Sequence, residues 1–124
     1  MIATDTSTLV AYLQGLSGPD VERLAAALGG TDLALPPIVV TEILSDPGPQ
    51  RILRPQIERL ETLPVLNGYW RRAGEIRRTL KQLGLRAKIA DALIAQSCID
   101  HDVPLITRDD DFRRFAKHCG LKLA

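Results

Sequence analysis

Short apolar runs alternate with helical patterns along the whole chain, and that alternation leaves few folds open. The run at residues 2–5 stops at an acid, Asp5, and a helical pattern follows to about Leu16, with Thr6 or Ser7 available as its cap. Ser17-Gly18-Pro19 breaks it. A second helix is predicted from Asp20 to Leu28, with Val21, Leu24, Ala25 and Leu28 at helical spacing, ended by Gly29-Gly30. Leu33 to Leu35 reads as a short strand. Pro36-Pro37 opens the next helix, and Pro47-Gly48-Pro49 ends it.

The same rhythm continues through the second half. Residues 50–62 suit a helix with Ile52, Leu53, Ile57 and Leu60 as its apolar stripe, starting or kinking at Pro55. Val65-Leu66 is a candidate strand. Residues 69–83 make an amphipathic helix, with Ala73, Ile76, Leu80 and Leu83 inward and arginines outward, stopped by Gly84. Lys88 to Asp100 is apolar on almost every side, which predicts a buried helix. Pro104 to Thr107 is a strand, Asp109 to Lys117 a short helix ended near Gly120, and Leu121 to Leu123 a terminal edge strand. Strands separated by helices imply right-handed crossovers. The expected class is α/β: a central parallel sheet flanked by helices, an α/β/α sandwich.

With 124 residues and 45% hydrophobic content, the chain suits one domain over residues 1–124. No apolar run approaches the roughly 20 residues of a membrane helix, and residues 1–10 lack the features of a secretory signal. A cytoplasmic protein is expected. Cys98 and Cys119 are not spaced as a metal or disulfide motif, nor are His101 and His118. The net charge of +1 hides an asymmetry. Residues 1–50 hold one basic side chain, Arg23, against Asp5, Asp20, Glu22, Asp32, Glu42 and Asp46. Between Tyr69 and Lys88, by contrast, Arg71, Arg72, Arg77, Arg78, Lys81, Arg86 and Lys88 face only Glu75. Such a stretch is either a solvated helix face or a contact for an anionic polymer.

Four acids stand where local structure does not want them. Asp5 closes the first strand, Glu42 interrupts the apolar helix IVVTEILS, Asp91 lies in the first turns of the buried helix, and Asp109 follows the strand PLIT. Asp5 and Asp109 could each cap a helix, Glu42 could be solvated, and Asp91 could serve its helix dipole. Otherwise an ionised carboxylate in such a setting pairs, protonates or binds a metal. In an open parallel sheet, ligands gather outside the carboxyl ends of the strands, where Asp5 and Asp109 are expected. Two carboxylates about 5 Å apart repel by roughly 3 kcal/mol at an effective dielectric near 20. Hard oxygen donors favour Mg²⁺ or Mn²⁺ over Zn²⁺.

The segments DTSTLVAYL, PPIVVTEIL, KIADALIAQSCIDHDVPLIT and TRDDDF, in this order, resemble the PIN domain, and most of all the VapC-type toxins of bacterial toxin–antitoxin pairs. The resemblance covers essentially the whole chain. It implies that Asp5, Glu42, Asp91 and Asp109 are the catalytic acids and hold Mg²⁺, with Mn²⁺ an alternative. Asp111 is a further candidate, through water or at a second ion. Thr6 or Ser7 and Thr107 match supporting hydroxyls.

The implied activity is hydrolysis of RNA phosphodiesters by an endoribonuclease, leaving 3′-hydroxyl and 5′-phosphate ends. The implied partners are an RNA substrate, a cognate antitoxin and a second copy in a homodimer. Arg71, Arg72, Arg77 and Arg78 are candidates to contact RNA or antitoxin. Two other readings stay beside it. One is a catalytically silent PIN-like module that binds RNA or protein. The other is a receiver-like phospho-acceptor, which would want paired early acids and a lysine after a late strand; here Asp5 stands alone and PLIT is followed by Arg108.

Overall fold

The computed structural model describes residues 1–30, 32–48 and 54–124, the side chain of Arg54 excepted. Its elements run β1 (Ile2–Thr4), α1 (Thr6–Leu13), α2 (Pro19–Gly30), β2 (Leu33–Leu35), α3 (Pro37–Ser45), α4 (Arg54–Arg59), β3 (Glu61–Thr62), α5 (Tyr69–Gln82), α6 (Ile89–Asp100), β4 (Leu105–Ile106) and α7 (Phe112–Cys119). Among the described residues the four strands form one parallel sheet in the order β3-β2-β1-β4. Chain order proceeds outward from β1 to β3, then returns to place β4 on the other side of β1. The reversal falls between β1 and β4, and there the carboxyl ends open a crevice. Helices flank the sheet in an α/β/α arrangement: α5, α6 and α7 pack on one another, and α1 packs on α2.

The core forms where these layers meet. Leu35, Leu105 and Ile106 of the strands pack with Leu24, Val39, Ile43, Leu80, Phe112 and Phe115 of the helices, all nearly inaccessible. Strands of two or three residues supply few ladder bonds, so this apolar burial carries much of the fold. Helix α6 is buried at Ala92 and from Ile94 to Cys98, much as its composition predicts, but Leu93 is only partly buried and Ile89 at its start is 60% exposed. In α5, Tyr69, Ala73 and Leu80 turn inward, whereas Leu83 is exposed where the chain leaves the helix for Gly84, whose φ is +75°.

Several expectations need correction. Helix α1 is capped by Asp5, whose carboxylate reaches the Thr8 N–H, and not by Thr6 or Ser7. Helix α2 runs through Gly29-Gly30. The predicted helix over 50–62 is described only as α4, with Ile52 and Leu53 outside the described residues. Its predicted end is strand β3, and Val65-Leu66 is exposed coil. The edge strand escaped notice because Glu61 and Thr62 both face solvent; only Leu63, donating its N–H to the Leu35 carbonyl at 2.9 Å, turns inward. Helix α7 begins at Phe112, because Asp109 to Asp111 are used in a turn. The predicted strand at Leu121–Leu123 shrinks to a single parallel bridge between Leu123 and Leu105.

Candidate active site

Asp5 follows β1 directly, at the carboxyl end of a central strand, and is 2% exposed. Three donors meet its carboxylate. The Thr8 N–H lies 3.0 Å from Oδ1, and the hydroxyls of Ser7 and Thr107 lie 2.7 and 2.6 Å from Oδ2. Burial nevertheless raises its pKa above the ordinary carboxylate range, against the pull of those donors, and the charge of Asp109 adds to the rise.

Thr107 joins the two strand ends. It stands after β4, gives its hydroxyl to Asp5, and accepts the Asp109 N–H on the same oxygen at 3.0 Å. Asp109 in turn accepts the Asp111 N–H at 2.9 Å, and its carbonyl receives the Phe112 N–H at 3.3 Å. Of the two acids weighed as helix caps, Asp5 caps α1, using only part of its carboxylate, whereas Asp109 serves the turn before α7, whose cap position is Asp111 with no side-chain bond.

Asp91 arrives from α6, whose start carries no side-chain cap. One carboxylate oxygen each from Asp91, Asp109 and Asp111 lie within 4.8 Å of one another. At that spacing each ionised pair repels by roughly 3 kcal/mol at an effective dielectric near 20. The pKa of Asp91 is pushed up to about 6, first by burial, then by the charges of Asp109, Asp111 and Asp5, with Lys88 opposing. Asp5 and Asp109 are thus close enough to Asp91 for their charges to be felt. The donor set suits a hard divalent cation: three carboxylates converge, with no thiol or imidazole among them.

Glu42 is exposed on α3 and stands outside that group of three; the Thr6 hydroxyl donates to its Oε1 at 2.8 Å. The hydroxyls expected to support the pocket therefore divide their work: Ser7 and Thr107 hold Asp5, and Thr6 holds Glu42. Asp109 and Asp111, ranked first and second in the sequence, each bring one carboxylate oxygen to the group with Asp91. Asp110 is exposed and pairs with Arg113 at 3.3 Å.

The basic helix is less uniform than its sequence. Arg72 closes a fork on Asp100, Nε to Oδ1 at 2.9 Å and Nη2 to Oδ2 at 2.6 Å, and Arg77 donates to the Ala87 carbonyl at 2.8 Å. Arg71 and Arg78 are exposed. Sequence reasoning missed Thr8, Asp20 and Arg108, which lie beside the acids. The sole available signal was the position of Arg108, between Thr107 and Asp109.

Residues 2–118 match the family model of the PIN domain. No curated protein matches the sequence. Three of the solved structures that share the fold illustrate the likeness. VapBC2 from Rickettsia felis, bound to a DNA fragment from its promoter, has TM-score 0.76 and 23% identity, covering 100% of this chain and 98% of that one. VapBC-5 from Mycobacterium tuberculosis, a member of the VapBC family of toxin–antitoxin systems, has TM-score 0.69 and 22% identity, covering 98% and 95%. FitAB bound to the IR36 DNA fragment has TM-score 0.69 and 24% identity, covering 100% and 94%. With acids converging where two central strands end, and a family model spanning nearly all of the sequence, the chain belongs to the PIN-domain family.

Proposed function

We propose that this protein is a Mg²⁺-dependent endoribonuclease of the VapC type, restrained by a cognate antitoxin and working as a homodimer. The observation that carries the activity is the convergence of Asp91, Asp109 and Asp111 oxygens within 4.8 Å, beside the buried Asp5. The partner reading leans on structural neighbours that are themselves VapBC and FitAB complexes.

Asp91, Asp109 and Asp111 would hold the ion, with Mn²⁺ as substitute, and Glu42 would close the site from α3. A bound divalent ion supplies a more acidic water and neutralises charge on the phosphate and the leaving oxygen. Asp5, fixed by Ser7, Thr8 and Thr107, orients what enters the site. Asp91 must shed its proton before it can ligate, so metal affinity falls as pH drops through about 6. Arg71 and Arg78, exposed on α5, would meet the RNA backbone or an acidic antitoxin tail. Arg72 and Arg77, which spend donors inside the protein, stand behind them.

The test is RNA incubated with purified protein, in Mg²⁺ and in EDTA, with wild type set against Asp5→Asn. Cleavage with Mg²⁺ alone, lost in EDTA and in the variant, is expected. Cleavage that survives both treatments refutes the proposal, and RNA binding without any cleavage makes the chain a silent module.

A further inference from the structure

The bonds around Asp5 continue past the acids. Arg108, between Thr107 and Asp109, closes a fork on Asp20: Nε lies 2.8 Å from Oδ2 and Nη2 3.1 Å from Oδ1. The same Nη2 donates to the Ser17 carbonyl at 3.1 Å. Asp20, in the first turn of α2, is 8% exposed and accepts a further bond from the Thr8 hydroxyl at 3.0 Å. The backbone N–H of Thr8 meets Asp5, and Thr107, next to Arg108, meets Asp5 from the other side. A ring is thereby closed from Asp5 through Thr8, Asp20 and Arg108, and back through Thr107. The backbone leaves room for it at Gly18, where φ is +148° and a Cβ would lie 2.7 Å from Asp20 Oδ1.

We propose that Asp20 and Arg108 are positioning residues, and that the ring they close sets where Asp5 and Asp109 stand relative to each other. The inference rests on reading the acids as a divalent-metal site. Asp109 sits on the loop between β4 and α7, outside the sheet ladder, and loops are the segments that open most readily. Metal ligands tolerate displacement of only about 0.2 Å, so a ligand on a loop needs a brace. A guanidinium gives one: its planar fork meets both carboxylate oxygens and a carbonyl at once. A lysine keeps the charge and loses the fork. Neither Asp20 nor Arg108 is among the acids that would touch the ion.

Arg108→Lys and Asp20→Asn test the brace. In metal-free protein, amide exchange by NMR should quicken about tenfold at Asp109 and Thr8, while the amides of α5 keep wild-type rates. Mn²⁺ affinity by calorimetry should weaken about tenfold, and kcat on RNA should fall with KM unchanged. The double variant should be no worse than the worse single one, since both break one fork. Exchange that quickens equally everywhere, or not at all at Asp109, overturns the proposal and leaves the fork an ordinary ion pair. Should wild type take up no Mn²⁺, the metal reading fails, while exchange at Asp109 still decides the brace.

Discussion

Replacing Asp91 by Asn should make the metal-free protein more stable while abolishing its use. The pKa of Asp91 rises from the ordinary value of 3.8 to about 6, chiefly through burial and the charges of Asp109, Asp111 and Asp5. A shift of that size corresponds to about 3 kcal/mol at 1.36 kcal/mol per unit. The carboxylate is only half-buried, so solvent screening cuts the figure to about 1–2 kcal/mol. Loss of a favourable charge in the first turn of α6 returns a few tenths of a kcal/mol. The net gain should raise Tm by about 3–8 °C at pH 7.5.

Its pH dependence has a definite sign. Between about pH 4 and 6 the folded state binds more protons than the unfolded one, so wild-type stability falls as pH rises through that window. The Asn variant lacks this component, so its advantage should be absent near pH 4 and complete above pH 7. Mg²⁺ should reverse the order: at about 100 times Kd it stabilises the wild type by about 2.7 kcal/mol and the variant hardly at all. Scanning calorimetry at pH 4.5 and 7.5, with EDTA and with Mg²⁺, reads all of this. A metal-free variant that melts below wild type at pH 7.5 would refute the repulsion argument.

Three further substitutions have defined outcomes. Thr107→Val removes a donor from Asp5 and an acceptor from the Asp109 N–H, so cleavage should fall at least about tenfold. The acid limb of its pH–rate profile should also move upward, because the lost hydroxyl had been lowering the Asp5 pKa. In the basic helix, Arg72→Ala takes the guanidinium fork from Asp100, whose side chain is 7% exposed and keeps the Gln96 amide as a donor, and should cost about 2–3 kcal/mol by denaturant titration. Reversing the charge of Arg71 and Arg78 should leave stability within about 0.5 kcal/mol, weaken RNA binding, and flatten its salt dependence.

Much of this site is legible in the sequence because its acids break local patterns. Asp5, Asp91 and Asp109 each interrupt or terminate an apolar run, and an ionised group there demands a reason. Asp111 is clustered as firmly as Asp109, although position in sequence ranked it second. Glu42 broke its pattern in the same way, yet it faces solvent and reaches the site region through Thr6. The brace stayed hidden for the opposite reason. Asp20 looks like any acid in a first helical turn, and its partner Arg108 lies 88 residues away. Strand β3 was invisible because an edge strand with polar side chains outward carries no apolar alternation. The arginines of α5 looked equivalent, since no spacing rule shows that Asp100 waits across the packed face for one of them.

The contact between Asp5 and Thr107 spans 102 positions, and it sits at the heart of the acid pocket. During synthesis, β1 must wait unpartnered on one side until β4 emerges from the ribosome, at about 5–20 residues per second. The pocket is consequently among the last features a nascent chain completes. A growing or truncated polypeptide that ends before residue 105 holds Asp5, Glu42 and Asp91 but lacks the segment that unites them. Under the proposed activity, topology defers completion of the acid site, and a chain ending before residue 105 should show no RNA cleavage.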